Sequence, residues 1–219
     1  MKKNTSAIEG LLWLIMILPA LYLLWNYPSL PDRVPIHFDA QGNPNGYGPK
    51  STLWYFILGL NLGVYILMKY IPIIDPKSKL KNINHYPRLR VIMQLLFSLI
   101  SALLVYSAGE SSFNTAQLIS LLLCFLFSGL GNYFPTIKPN YFLGIRTPWT
   151  LENEYVWRKT HQKGGKLWFY GGIVMAAIVL VIPADYAVYS VVAAVLISTV
   201  YLMYYSYAVF QEVKKENLG

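Results

Sequence analysis

The sequence predicts an all-α fold, a polytopic membrane bundle of six transmembrane helices with one short interfacial helix on the cytoplasmic side. Three observations carry this. Of the 219 residues, 55% are hydrophobic and only 13% are Asp, Glu, Lys or Arg, about half the charged share of a soluble domain. The mean hydropathy is +0.41. The charges lie between six apolar segments, each long enough to cross a hydrocarbon core of about 30 Å. This composition excludes an ordinary cytosolic enzyme, a disulfide-stapled secreted domain and a disordered tail.

In chain order the segments are 10–27, 51–74, 91–108, 115–131, 166–183 and 186–210. Lys2 and Lys3 precede the first, as in a signal peptide. Its apolar run is long, contains Trp13 and Trp25, and is followed by no small-x-small cleavage site, so it reads as a retained anchor. Of the 18 Lys and Arg residues, only Arg33 and Lys50 fall on one side of an even six-span arrangement, and the rest fall on the other. Basic residues collect on the cytoplasmic side, so both termini are expected there. The net charge of +8 is then a matter of topology, and direct nucleic-acid binding loses its main support. Two units follow: residues 1–75, a two-span domain with a Pro-rich extracytoplasmic loop, and residues 91–210, a four-span domain with a cytoplasmic loop at 132–165.

Residues 10–27, 51–68, 91–109, 115–133, 167–184 and 186–211 contain no Asp, Glu, His, Lys or Arg, which argues against an ion-coupled pump. Asn61, Gln94 and Gln117 read as interhelical hydrogen-bonding groups. Gly59-x-x-x-Gly63, Ser98-x-x-x-Ala102 and Gly172-x-x-x-Ala176 read as close helix contacts within the bundle. Trp54, Tyr55, Trp168, Tyr170 and the tyrosines of 201–207 read as interfacial or lipid-facing anchors. The single cysteine, Cys124, reads as a small hydrophobe in lipid.

The outer loop 28–50 holds five prolines and three glycines, so a stiff irregular segment without helix is expected. Residues 34–39 suit one short extended stretch, and 41–46 suit successive turns. His37 has no His or Cys neighbour in sequence and reads as a structural hydrogen-bonding group, with a ligand contact as the second use; no metal site is expected. The inner loop 75–90, with Lys77, Lys79, Lys81, Arg88 and Arg90, reads as a solvated face towards anionic headgroups, and His85 as a surface residue.

The inner loop 131–164 is the richest. Thr147 before Pro148 suits an N-cap and first helical residue, with Thr150 as an alternative cap. Glu154 and Arg158 are spaced i,i+4, and Gly164-Gly165 reads as the helix end, followed at once by the fifth span. The first half mixes Asn132, Tyr133, Tyr141, Phe142 and Trp149 with Lys138 and Arg146. An interfacial hairpin and a docking face for a partner or lipid phosphates both fit it. No nucleophile–base pair, HExxH, P-loop or paired CxxC occurs, so no cofactor is expected. Enzymatic chemistry would have to rest on His161 with Glu152 or Glu154.

The run from Gly131 to Thr150 (GNYFPTIKPNYFLGIRTPWT), with Val156-Trp-Arg-Lys-Thr-His161 and Gly164-Gly165, resembles the SdpI/YfhL family of bacterial toxin-immunity membrane proteins. The segment Leu30-Pro-x-x-Val-Pro-Ile-His-Phe38, with Gly42 and Lys50, resembles the small membrane domain of unknown function that often precedes it. The resemblance implies a multi-pass protein of the bacterial cell membrane, not an enzyme, that protects against an extracellular peptide toxin. It further implies toxin sensing and capture of a cytoplasmic autorepressor at the membrane. On that basis the toxin-facing residues are expected to be Pro31, Arg33, Pro35, His37, Phe38 and Gly42. The partner-facing residues are expected to be Asn132, Tyr133, Pro135, Lys138, Asn140, Gly144, Arg146, Thr147, Trp149, Trp157, Arg158 and His161. Expected partners are membrane lipids, the toxin and the repressor. A small transporter or permeation protein for a neutral or amphipathic substrate is the alternative.

Overall fold

The computed structural model describes residues 2–75, 86–109 and 114–216. Lys77, Lys79, Lys81, His85 and Glu110 lie outside the described residues. The chain folds as α1 (Lys2–Asn26), β1 (Arg33–Phe38), β2 (Pro44–Pro49), α2 (Thr52–Ile74), α3 (Tyr86–Gly109), α4 (Thr115–Tyr133), α5 (Pro148–Glu152), α6 (Glu154–Val181) and α7 (Ala187–Glu216). All but α5 among these helices are long and apolar enough to cross a membrane, which gives six spans. The protein is a multi-pass helical bundle.

Several of the sequence expectations change here. The outer loop contains an antiparallel hairpin, β1 against β2, pairing Val34 with Gly48 and Pro35 with Tyr47. The extended stretch at 34–39 is present, but its partner strand, PNGYGP, has little strand propensity of its own. A one-turn 3-10 helix, Tyr27–Ser29, also opens the loop. The second change concerns Gly164-Gly165, which does not end a helix: α6 runs unbroken through both. A Cβ on Gly165 would lie 2.8 Å from the Gly131 carbonyl oxygen, and one on Gly164 would lie 2.6 Å from Ile145 Cδ1. These glycines permit close approach of backbone and loop.

That approach is part of a seam along the length of α4 and α6. A Cβ on Gly131 would fall 2.3 Å from the Phe169 nitrogen, and one on Gly172 would fall 2.4 Å from Ser128 Oγ. The Ser128 hydroxyl donates to the Phe169 carbonyl at 3.0 Å, and the Gln117 side chain donates to the Val179 carbonyl at 2.8 Å. Cys124 is buried in the same region among Ala176, Val179, Ala187 and Val191. Its side chain, 1% exposed, is therefore held between helices and not on the outer surface of the bundle. Trp168 is likewise drawn inward: its indole donates to Ser198 Oγ at 3.2 Å and packs on Phe127 and Phe134. Tyr55, Tyr170 and Tyr204 do face outward.

The first half closes on polar groups. Asn61 donates to Ser101 Oγ at 2.8 Å and accepts from Gln94 at 3.1 Å, so α2 and α3 are joined at membrane depth. Ser98 donates to the Ile15 carbonyl of α1 at 2.7 Å. Where no water competes, such groups must find partners inside the protein. Nearer the end, Glu9 of α1 accepts from Arg90 of α3 at 2.5 Å and from the Tyr65 hydroxyl of α2 at 2.8 Å. Gly172 and Ala176 pack as the small-residue pattern predicts, but Gly59 and Gly63 do not. A Cβ on either would meet nothing within 4 Å, because that face of α2 opposes no described helix.

The seam makes a direct prediction. Gly131→Ala should destabilise the protein by about 1–3 kcal/mol through overpacking. Gly63→Ala should leave stability unchanged or raise it slightly by helix propensity. Thermal unfolding of the two variants in detergent separates them, and equal transitions would contradict the seam.

Candidate functional site: two pinned loops

The two ends of α4 carry the two candidate sites. At its N-terminus stands the hairpin, closed at its base where the Lys50 amide donates to the Asp32 carbonyl at 2.9 Å. The Lys50 ammonium caps the Leu30 carbonyl at 3.1 Å and lies 5.1 Å from the Tyr27 ring centre. Val34 is fully buried and packs with Leu23, Leu30, Leu53, Ile57 and Val105. At the tip, the Asp39 carboxylate accepts from the amides of Gln41 (3.0 Å) and Asn43 (2.8 Å), which sets the turn.

The tip is fastened to the second half of the chain. Asn114 N-caps α4 by accepting from the Gln117 amide at 3.0 Å, and its side-chain NH₂ donates to the Gln41 carbonyl at 2.7 Å. Gln41 Nε2 in turn donates to the Tyr189 hydroxyl of α7 at 3.0 Å. Gly42 adopts φ +87°, and a Cβ there would stand 2.6 Å from Asn114 Oδ1. Gly42 therefore seats the hairpin on α4. Pro31, Arg33 and His37 are exposed, whereas Pro35 and Phe38 are half-buried. Arg33 donates to the Tyr47 carbonyl at 3.2 Å, and His37 Nδ1 pairs with Asn45 Oδ1, so the rim is ordered by its own contacts. Asn114, Gln41 and Tyr189 have no signal in the sequence, because each matters only through a partner far along the chain.

At the other end of α4 the inner loop folds back on α6. Asn140 is buried and satisfies both sides of its amide. Oδ1 accepts from the amides of Phe142 (2.8 Å) and Leu143 (2.7 Å), and Nδ2 donates to the carbonyls of Lys138 (2.9 Å) and Leu143 (3.1 Å). Trp157, 1% exposed, donates Nε1–H to the Ile137 carbonyl at 2.7 Å. His161 stacks on Trp157 with ring centres 4.1 Å apart. Its Nε2 accepts from the Ile145 amide at 3.0 Å and its Nδ1 faces the Trp157 carbonyl at 2.8 Å, so Nδ1 carries the proton. Gly144, at φ +101°, leaves room for this ring: a Cβ would sit 2.2 Å from Nε2.

Thr147 caps α5 in a reciprocal box with Thr150, so both candidate cap residues take part, and Thr147 Oγ1 lies 3.1 Å from Ser206 Oγ of α7. The twelve inner residues expected at a docking face therefore divide. Tyr133, Asn140, Thr147, Trp157 and His161 are buried scaffold; Gly144 and Trp149 are half-buried. Asn132, Pro135, Lys138, Arg146 and Arg158 are exposed. Arg146 donates to the Tyr141 carbonyl. Arg158 forms no ion pair with Glu154 among the described residues; its guanidinium lies 6.0 Å from the Tyr155 ring centre. With both nitrogens engaged inside the protein, His161 is not placed for acid–base work with Glu152 or Glu154. Among the described residues, no three His, Cys, Asp or Glu side chains are grouped to hold a metal.

Trp157→Phe keeps a ring against His161 but leaves the Ile137 carbonyl unmet. At about 1.4 kcal/mol for that loss, opening of the loop should rise roughly tenfold. Tryptic cleavage after Arg146, in the same loop, should accelerate in proportion in detergent, and an unchanged rate would contradict the staple.

Residues 136–206 match the SdpI/YfhL protein family, and residues 14–61 match a domain of unknown function, DUF1648. The chain is 27% identical to the immunity protein SdpI of Bacillus subtilis over 97% of its own length and 98% of that protein. It is 36% identical to an uncharacterized protein of Archaeoglobus fulgidus over 38% of this chain and 45% of that one. No solved structure matches. The two matched segments follow one another and one relative aligns almost end to end, so the chain is similar to the SdpI/YfhL family over residues 136–206 and to DUF1648 over residues 14–61.

Proposed function

We propose that this protein confers immunity on a bacterial cell against an extracellular peptide toxin, without catalysis, and that it reports the toxin to a cytoplasmic repressor. The observation that carries the proposal is the end-to-end similarity to a protein named for immunity. The geometry supplies a physical route. A hairpin seated on the N-cap of α4 presents Arg33, His37 and Tyr47 on one side of the bilayer. The loop leaving the C-terminus of α4 presents Lys138, Arg146 and Arg158 on the other. The helix between them has 19 residues, about 28 Å at 1.5 Å per residue, close to the thickness of a hydrocarbon core.

The charge bias puts the hairpin outside and the loop and both termini in the cytoplasm. A toxin that pulls on the hairpin changes the Asn114–Gln41 contact, and through it the position of α4 against α6. The seam leaves little slack, since a Cβ at Gly131 or Gly172 would already collide. Movement of α4 therefore has to be taken up by the inner loop. The exposed cations Lys138, Arg146 and Arg158 then offer a repressor an acidic-patch partner surface.

Expression in a sensitive bacterium should raise survival on exposure to secreted peptide toxins, and unchanged killing across several of them would refute the immunity role. The signalling half has its own readout. Lys138→Glu with Arg158→Glu should preserve membrane insertion and survival but abolish retention of the repressor in the membrane fraction. Full retention in that variant would refute the docking surface.

A further inference from the structure

A groove between α4, α6 and α7 lies apart from both loops and opens sideways, where the bundle faces lipid. Its volume is about 490 Å³, the size of a single fatty acyl chain, and its lining is almost wholly apolar. Cys124 and Phe127 of α4 form its floor; Leu167, Gly171 and Val174 form one wall, and the α7 face ending at Tyr201 forms the other. Gly171 adds no side chain to this wall, and a Cβ there would meet nothing within 4 Å, so the space beside it is open. It extends from Val191 to Tyr201 along α7, about 15 Å, half of a hydrocarbon core. It is therefore one leaflet deep.

The Tyr201 end of the groove carries positive charge. Lys163 precedes Leu167 by one helical turn and shares a face with Leu167, Gly171 and Val174 at spacings of four, four and three. Its ammonium lies 6.0 Å from the Tyr201 ring centre. Lys159 stands a turn further out on the same face, and both lysines are exposed. We propose that this groove is a binding site for an anionic phospholipid, with one acyl chain along Gly171 and the phosphate held by Lys163 and Lys159. Charge complementarity selects this occupant. An apolar helix of a second copy would fill the slot but leave the ammonium groups unanswered, and a zwitterionic lipid brings no net charge. Each lysine near the headgroup plane is worth about fivefold in preference for an anionic lipid.

Brominated phosphatidylglycerol and brominated phosphatidylcholine, each diluted in unbrominated lipid, provide the test on the full chain in vesicles. Emission from Trp168, taken as the difference between the protein and Trp168→Phe, reports the occupant of the groove. At equal mole fraction the phosphatidylglycerol should quench it several-fold more strongly, and Lys159→Gln with Lys163→Gln should bring the two lipids level. Equal quenching in the unaltered chain, or a preference surviving in the lysine variant, would overturn the proposal. Because Trp168 is packed on Phe127 and Phe134, a second variant guards against misfolding. Gly171→Leu fills the groove without a clash, and native mass spectrometry of the extracted protein should then find one phosphatidylglycerol fewer. Unchanged lipid retention, or a protein dimer in place of bound lipid, would overturn it equally.

Discussion

The architecture depends on how closely α4 and α6 approach. Gly131, Gly165 and Gly172 bring backbone against backbone, and Ser128 and Gln117 tie the remaining carbonyls across the interface. In hydrocarbon there is no hydrophobic drive between helices, so association rests on close packing and interhelical hydrogen bonds. Small residues at every second turn supply the first, and the two polar side chains supply the second. With this pair fixed, the loop between them has nowhere to fold except back on α6, where Trp157 and His161 receive it.

The same logic explains why neither loop is a loose connection. Proline and glycine remove backbone donors and hydrophobic side chains from the hairpin, yet it is held at its base by Lys50 and Asp32 and at its tip by Asn114 and Tyr189. The inner loop has few regular backbone hydrogen bonds, and Asn140 replaces several of them with one side chain. Both segments are thus preorganised, which lowers the conformational cost of meeting a partner. Both are fastened to the one helix, α4, whose ends lie on opposite faces of the bundle.

Much of this was legible in the sequence, for identifiable reasons. Hydropathy set the six spans because water is absent along them; Asn61, Gln94 and Gln117 had to find interhelical partners for the same reason. Thr147-Pro148 signalled a helix start that both Thr147 and Thr150 cap. Gly164-Gly165 misled because a helix stop and a close backbone approach leave the same residues behind, and only the position of Gly131 and Ile145 distinguishes them. Strand β2 was hidden because its pairing comes from the docked tip and not from propensity. His161 reads as a partner-facing or catalytic group in the sequence, and it is buried because Gly144 leaves space for its ring. Asn114 was silent, since an asparagine at a helix start is ordinary and its second bond crosses 73 positions to Gln41.

The central claim is that two prestructured loops sit at opposite ends of α4 on opposite sides of the membrane. Single cysteines placed by Asn45→Cys and Arg158→Cys in a Cys124→Ser background, treated in intact cells with a membrane-impermeant maleimide, test it most directly. Both positions are exposed, so access alone decides the outcome. The account predicts that position 45 is labelled in intact cells and position 158 only after permeabilisation. Labelling of both positions in intact cells, or of 158 alone, would contradict it.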